Sequence, residues 1–293
     1  MRTAAAFIEA MRPAHWSKNL LVFAGLFLGG RMGDADAWVS AALAFVALSL
    51  AASAGYLGND LRDAAADSEH PIKRTRPVAS QRLGRSIAAA GAAGLALASL
   101  ALAALVNGGV LLATAAYLGL TFAYTLALKQ MRWVDVTALA TLFALRVLAG
   151  TAAAGVAASP WLIAFSFAFF LSLALSKRAD ELAARPGARV AGRAYGPPDT
   201  AAVRGAGLAT LAVSTALLAI YVIEPGYDPA YYPHSGWLWG FPVFVAAFLA
   251  RIWMLALGGR LRGDAAIAAW RDPVTLAAGA GLALCFARAT GLV

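Results

Sequence analysis

Tyr56-Leu-Gly-Asn59-Asp60-Leu-Arg62-Asp63-Ala-Ala-Ala-Asp67-Ser-Glu-His70-Pro71-Ile-Lys73-Arg74-Thr75-Arg76-Pro77 follows directly on a long apolar run. It sets three aspartates and an asparagine within nine positions and then adds Lys73, Arg74 and Arg76, in a chain only 13% charged. Carboxylate and amide oxygens are hard ligands suited to magnesium. Neighbouring guanidinium and ammonium groups suit phosphate. The stretch reads as a metal–diphosphate site at a membrane surface.

The rest of the chain supplies the membrane. Of 293 residues, 61% are hydrophobic, against roughly 45–50% in a soluble domain, and the mean hydropathy is +0.70. The formal charge of +9 comes without any nucleic-acid-binding motif, so basic residues are read as topology signals rather than as a nucleic-acid surface. Cys285 is the sole cysteine, which excludes an internal disulfide and a thiolate cluster. It reads as a small buried apolar residue. Arg2 and Arg12 precede an apolar run at 20–28 that resembles a signal peptide, but Gly-Gly-Arg31-Met-Gly stands where a small-x-small cleavage site belongs. The run is read as an uncleaved first span.

Apolar runs of about 17–25 residues cross a bilayer as helices. Nine are expected, at 15–31, 37–58, 85–106, 109–128, 133–154, 160–177, 202–223, 235–257 and 271–290. They are rich in alanine, leucine and glycine, which lets helices approach closely in lipid. The expectation is an all-α integral membrane protein, one polytopic domain over 1–293. Loops after the even-numbered spans hold the basic residues, among them Arg62, Arg82, Arg85, Arg132, Arg185, Arg189, Arg193, Arg204, Arg260, Arg262 and Arg271. The opposite loops hold little charge beyond Arg31, Asp34, Asp36, Glu224 and Asp228. The positive-inside rule then puts the N-terminus and the aspartate-rich stretch in the cytoplasm and the C-terminus outside, in a cell (inner or plasma) membrane. The aromatic, proline-rich loop from Gly226 to Trp239 reads as an interfacial belt, with His234 at the surface.

If 56–67 continue the second helix, Asn59, Asp63, Asp67 and Asp60 fall at about 0°, 40°, 80° and 100° around its axis, within one arc. So many acidic groups on one side repel unless a cation joins them. Asn59, Asp63 and Asp67 form the i, i+4, i+8 row, and Ala64, Ala65 and Ala66 are expected to point elsewhere. Lys73, Arg74 and Arg76, stiffened between Pro71 and Pro77, read as phosphate clamps. After the sixth span, Ser176-Lys177-Arg178-Ala179-Asp180-Glu181-Leu182 is a mixed set that suits an anionic phosphoester better than a second metal. Arg146, deep in the fifth span, is expected to line a polar cavity. Asp135, about 16 Å away along the same helix, is too far to pair with it. Lys18 and Asn19 stand at the start of the first span, as an anchor or as a wall of the same site. Tyr124 and Lys129, about 140° apart on a regular helix, face one site only if that helix unwinds.

These residues resemble a known family. Asn59-Asp60-x-x-Asp63-x-x-x-Asp67 followed by Lys73-Arg74-x-Arg76-Pro77 is similar to the first aspartate motif of the UbiA-type membrane prenyltransferase superfamily. That resemblance implies a nine-helix bundle around a central cavity open to the cytoplasmic side and laterally to lipid. Arg12-Pro13-x-x-Trp16-x-Lys18-Asn19, Tyr124-x-x-x-x-Lys129, Arg146-x-x-Ala149-Gly150, Lys177-Arg178-x-x-Glu181-Leu182 and Arg271-Asp272 resemble its decaprenyl-phosphate phosphoribosyltransferase branch. Members using a prenyl diphosphate donor carry a second aspartate-rich motif where this chain has Lys177-Arg178-Ala179-Asp180-Glu181.

The resemblance implies Mg2+-dependent transfer of 5-phosphoribosyl from phosphoribosyl pyrophosphate to a polyprenyl phosphate. Magnesium would sit on Asn59, Asp60, Asp63 and Asp67, and Asp63, Asp67 and Lys73 would be catalytic. Lys18, Asn19, Arg74, Arg76, Tyr124, Lys129, Arg146, Lys177, Arg178 and Glu181 would bind substrate. His70 has no role in this chemistry. The partners are the two substrates and membrane lipids, with room for a homo-oligomer. The alternatives are an aromatic polyprenyltransferase using a prenyl diphosphate donor and a lipid-phosphate transporter; the latter leaves the acidic helix face unexplained.

Overall fold

The computed structural model describes residues 2–184, 187–190, 192–224, 227–261, 268–269 and 271–293. Arg185, Arg262 and Gly226, named above among the loop residues, and the side chain of Arg2 lie outside the described residues. Every regular element described is helical. In order they are α1 (Arg2–Met11), a 3₁₀ segment (Pro13–Phe23), α2 (Ala24–Leu28), α3 (Ala35–Glu69), α4 (Arg85–Val106), α5 (Gly108–Leu126), α6 (Val134–Ala153), α7 (Pro160–Ala184), α8 (Thr200–Ile223), α9 (Gly240–Leu257) and α10 (Pro273–Ala289). Among the described residues, seven helices are long and apolar enough to cross a membrane. The expected runs at 15–31 and 271–290 are shorter elements. The first starts as a 3₁₀ stretch with Pro13 at its first position, changes to the short α2 at Ala24, and ends at Gly29. The last is the 17-residue α10.

The chain divides into two compact units, Met1–Leu128 with Leu145–Ala158, and Lys129–Ala144 with Ser159–Val293. In the first, α3 packs on α1, α4, α5 and the 3₁₀ segment. Its start is capped by Asp34, which accepts the backbone N–H groups of Asp36 and Ala37. It ends at Glu69 because His70 precedes Pro71 and takes extended angles, φ −82° and ψ 131°, as a residue before proline must. Gly150 lets α6 meet the 3₁₀ segment backbone to backbone: a Cβ there would stand 1.9 Å from the Val22 carbonyl oxygen. This is the close approach that small residues allow in lipid.

In the second unit, α7 packs on α8 and α9, and α9 on α10. Ser172 of α7 donates to the Gly207 carbonyl of α8 at 2.9 Å and accepts the Trp253 indole N–H of α9 at 2.9 Å. The edge of the indole packs against Gly207, where a Cβ would meet Trp253 Cζ2 at 1.9 Å. One hydroxyl thus ties three helices and satisfies the buried polar edge of Trp253. The aromatic loop does more than line an interface. Tyr231 and Tyr232 pack edge-on against Phe286 of α10, and Tyr232 is buried with Leu238 and Ala289. Cys285 is buried, as its apolar setting suggested.

Candidate functional site

The acidic stretch lies on the last turns of α3, so the helix does continue through residues 56–67. Its inward side is centred differently from expectation. Asp60 and Asp67, two turns apart, are 1% and 3% exposed, and Ala64, expected to face elsewhere, is buried between them at 7%. Asn59 and Asp63 are half-buried at the edge of this face. The Arg76 guanidinium bridges the two aspartates, 2.6 Å from Asp67 Oδ2 and 3.3 Å from Asp60 Oδ1. Lys73 Nζ lies 3.9 Å from Asp67 Oδ1, whereas Arg74 is exposed. His70 has a structural part: its Nδ1 accepts the N–H groups of Ile72 and Lys73 and orders the turn that presents the basic residues.

Arg12 completes this cluster. It takes left-handed angles, φ 54° and ψ 59°, at the break before Pro13, a conformation that costs a non-glycine residue on the order of 1 kcal/mol or more. The bend brings its guanidinium to 2.5 Å from Asp60 Oδ1 and over the Tyr56 ring at 4.9 Å. In the sequence Arg12 stands out as a charge beside Pro13, which marks a break in the chain but not the contact with Asp60. A second polar group in this unit surrounds Arg146, 5% exposed. Its Nε donates to Asn19 Oδ1 at 2.8 Å and its Nη2 to the Tyr117 hydroxyl at 2.9 Å. Asn19 in turn donates to Ser49. Lys18 and Tyr124 are half-buried.

In the second unit the residues at 177–182 sit on the last turns of α7. Arg178 is 1% exposed and its Nε is 3.1 Å from Asp135 Oδ2, itself fully buried; Glu181 pairs with the same guanidinium. Tyr195 donates to Asp135 Oδ1 at 2.6 Å and accepts the Trp133 N–H at 2.8 Å. Burial first, and then this bond to a carboxylate, push the Tyr195 phenol far above its ordinary range. Asp180 accepts the Leu261 N–H at 2.9 Å. Both carboxylates of the segment are therefore engaged within the unit. Lys177 is half-buried, and Lys129 lies in a 3₁₀ turn at Leu128–Gln130 after α5 has ended at Leu126, so the helix does unwind between Tyr124 and Lys129. Sequence reasoning missed Asp135 as the Arg178 partner and Tyr195 as the group bonded to Asp135. Asp135 carried a signal, a lone carboxylate at the start of an apolar helix.

Among the described residues no three histidine, cysteine or carboxylate side chains are gathered as a metal centre. The donor chemistry nonetheless fits a divalent cation. Asp60 Oδ2 is buried and has no hydrogen-bond partner among the described residues, while Oδ1 takes both arginines. An ionised oxygen so placed is costly unless a cation or a donor meets it. Asn59, Asp63 and Asp67 add hard oxygens on the same turns of helix.

The UbiA prenyltransferase family matches residues 19–284. The chain belongs to the UbiA prenyltransferase family. It is an integral membrane protein of the UbiA fold, and its family is one of transferases. The uncharacterized protein y4nM of Sinorhizobium fredii is 34% identical over 287 residues, 97% of this chain and 55% of the relative. A decaprenyl-phosphate phosphoribosyltransferase of Corynebacterium glutamicum is 38% identical over 189 residues, 62% of this chain and 57% of the relative. The chain thus spans little more than half the length of these two relatives. A UbiA homolog from Archaeoglobus fulgidus, solved bound to DMAPP and Mg2+, superposes with a TM-score of 0.72 at 16% identity and 98% coverage of both chains. At that identity the likeness is one of fold.

Proposed function

We propose that this UbiA-family chain transfers 5-phosphoribosyl from phosphoribosyl pyrophosphate to a polyprenyl phosphate of the decaprenyl type and releases pyrophosphate, at the cytoplasmic face of the cell membrane. The observation that supports it most is the state of residues 177–182. Two basic residues stand there, and Asp180 and Glu181 are bonded to the Leu261 N–H and to Arg178. A prenyl diphosphate donor would call for a second metal on carboxylates at this place. The relatives named decaprenyl-phosphate phosphoribosyltransferase agree with the reading.

Asn59, Asp60, Asp63 and Asp67 would hold magnesium, the ion bound in the Archaeoglobus fulgidus homolog. When bound, the ion supplies Lewis-acid stabilisation of the charge that develops on the departing pyrophosphate. Arg12 and Arg76 orient Asp60 and Asp67. Lys73, with its ammonium nearly half exposed, and the exposed Arg74 offer donors to the pyrophosphate oxygens. The ribose C1–O bond breaks with its electron pair leaving on pyrophosphate, and an oxygen of the lipid phosphate forms the new bond to C1. That oxygen is already ionised, so no strong general base is required. Lys18, beside the Asn19–Arg146 group, is assigned to the acceptor phosphate. Arg178, held by Asp135 and Glu181, acts as a positioning residue rather than a substrate contact.

Paired transfer assays test this. Purified protein with magnesium receives either labelled phosphoribosyl pyrophosphate and a polyprenyl phosphate, or a labelled prenyl diphosphate and hydroxybenzoate. Label enters lipid in the first reaction alone if the proposal holds. Product in the second alone would make the chain an aromatic prenyltransferase.

A further inference from the structure

The second unit contains a cavity of about 310 Å³ at the C-terminal end of α7 and the first turns of α8. Its walls are Leu182, Ala183, Pro197 and Leu257, with the Thr200 hydroxyl and the Arg204 guanidinium as its hydrogen-bonding side chains. The volume is within the range of small-ligand sites. Arg204 is half-buried, and its Nε is fully buried with no hydrogen-bond partner among the described residues. Asp199, the carboxylate closest to it along the chain, is already taken by Arg132 at 2.8 Å and by the Gly196 N–H at 2.9 Å. A guanidinium with one donor nitrogen buried and without a hydrogen-bond partner favours an acceptor beside it.

The surroundings select the kind of anion. Arg204 stands one turn inside α8, where the partial positive charge of a helix start adds to its own. One turn further into the same apolar helix, at i+4 from Arg204, Leu208 is 45% exposed. On α9, Met254 is exposed one turn inward from Leu257. One exposed apolar side chain on each of α8 and α9 thus stands about a turn from the cavity, where the acyl chain of a lipid held by its headgroup would pass. A free phosphate would use the guanidinium and the hydroxyl but not these two side chains.

We propose that this cavity binds the phosphate headgroup of an anionic membrane lipid, with Arg204 and Thr200 as its donors. The cavity is lined by other residues than those of the acidic face of α3, and the proposal does not depend on the transfer reaction proposed above. The test is thermal unfolding of the full chain in dodecylmaltoside micelles, titrated with phosphatidylglycerol, with phosphatidylcholine, or with inorganic phosphate. Wild type, Arg204→Gln, Arg204→Lys and the control Arg288→Gln are compared, because a basic protein attracts anionic lipid at many places. Phosphatidylglycerol is expected to raise the wild-type midpoint above that in phosphatidylcholine. Arg204→Gln should weaken this response about tenfold or more in apparent affinity, the loss of one charge-assisted hydrogen bond. Arg204→Lys should keep part of it, and Arg288→Gln all of it. Equal responses from wild type and Arg204→Gln would overturn the proposal. So would an Arg204-dependent shift of the same size with inorganic phosphate alone, which would mark a soluble-anion site. Arg204→Gln that fails to fold in phosphatidylcholine would show the side chain to be structural and would also refute it.

Discussion

Replacing Asp135 by Asn removes one negative charge from a place where nothing can substitute for it. Asp135 is fully buried; its Oδ1 accepts the Tyr195 hydroxyl and the Val136 N–H, and its Oδ2 is ion-paired with the Arg178 guanidinium at 3.1 Å. Asn keeps the shape but turns an amide N–H toward Arg178 or toward Tyr195, so one donor meets another. Arg178, 1% exposed, is left with Glu181, whose side chain is 29% exposed. Breaking a buried pair from one side costs about 3–5 kcal/mol. At roughly 2–4 °C per kcal/mol for a chain of this size, the midpoint should fall on the order of 10 °C. The assay is thermal unfolding of purified protein in detergent, run as a double-mutant cycle with Arg178→Met. Each single variant strands a buried charge, and the double variant strands neither. The double variant should therefore recover about 2 kcal/mol over the sum of the single losses. Additive losses, or an Asp135→Asn midpoint within about 2 °C of wild type, a shift of less than 1 kcal/mol, would refute the assigned pairing.

Asp63→Ala should lower magnesium-dependent turnover by at least about 10²-fold while leaving the unfolding midpoint nearly unchanged, because Asp63 is half-buried at the edge of its face; substantial remaining activity in a folded variant would remove Asp63 from the metal set. Gly150→Ala adds a methyl 1.9 Å from the Val22 carbonyl oxygen, and both atoms belong to packed backbone, so a loss of about 1–3 kcal/mol or more is expected by the same unfolding assay. Glu9 pairs bidentately with Arg82, and that hydrogen bond holds its carboxyl below the ordinary 4.5. A depressed folded-state pKa stabilises above the unfolded value and is lost as pH falls through the folded one. The stability difference between wild type and Glu9→Gln should thus be constant near neutrality, begin to shrink below about pH 4.5, and be gone only once the pH is under the lowered folded-state value; a difference that grows on acidification would contradict the pairing.

The α3 continuation was legible in sequence because its stop signal is local: His70 precedes Pro71, and the polar residues repeat at helical spacing up to that point. The choice of inward face was not. Angles around an isolated helix place Asn59, Asp63 and Asp67 in a row, but which direction is inward depends on the elements packed against α3, and these bury Leu57, Asp60, Ala64 and Asp67 instead. Arg12 reaches Asp60 across 48 residues through a left-handed turn, and no local pattern announces such a contact. The buried Arg178 partner, Asp135, comes from another element, α6, and is itself bonded by Tyr195 from the segment before α8, so the mixed charges at 177–181 looked free for substrate when Arg178 is ion-paired within the unit. The irregular first span shows the same limit. Its composition is that of a transmembrane helix, while Pro13 and its tight contact with Gly150 give it a 3₁₀ form.

Which bond of phosphoribosyl pyrophosphate breaks is read out by a double-label transfer experiment. Phosphoribosyl pyrophosphate carrying one label in the ribose and another in the pyrophosphate is incubated with polyprenyl phosphate and the purified chain, with magnesium or with a chelator. The account predicts ribose label in the organic phase, pyrophosphate label remaining in the aqueous phase, and neither movement under chelation. Both labels entering lipid together, or no ribose transfer by demonstrably folded protein with magnesium present, would contradict it.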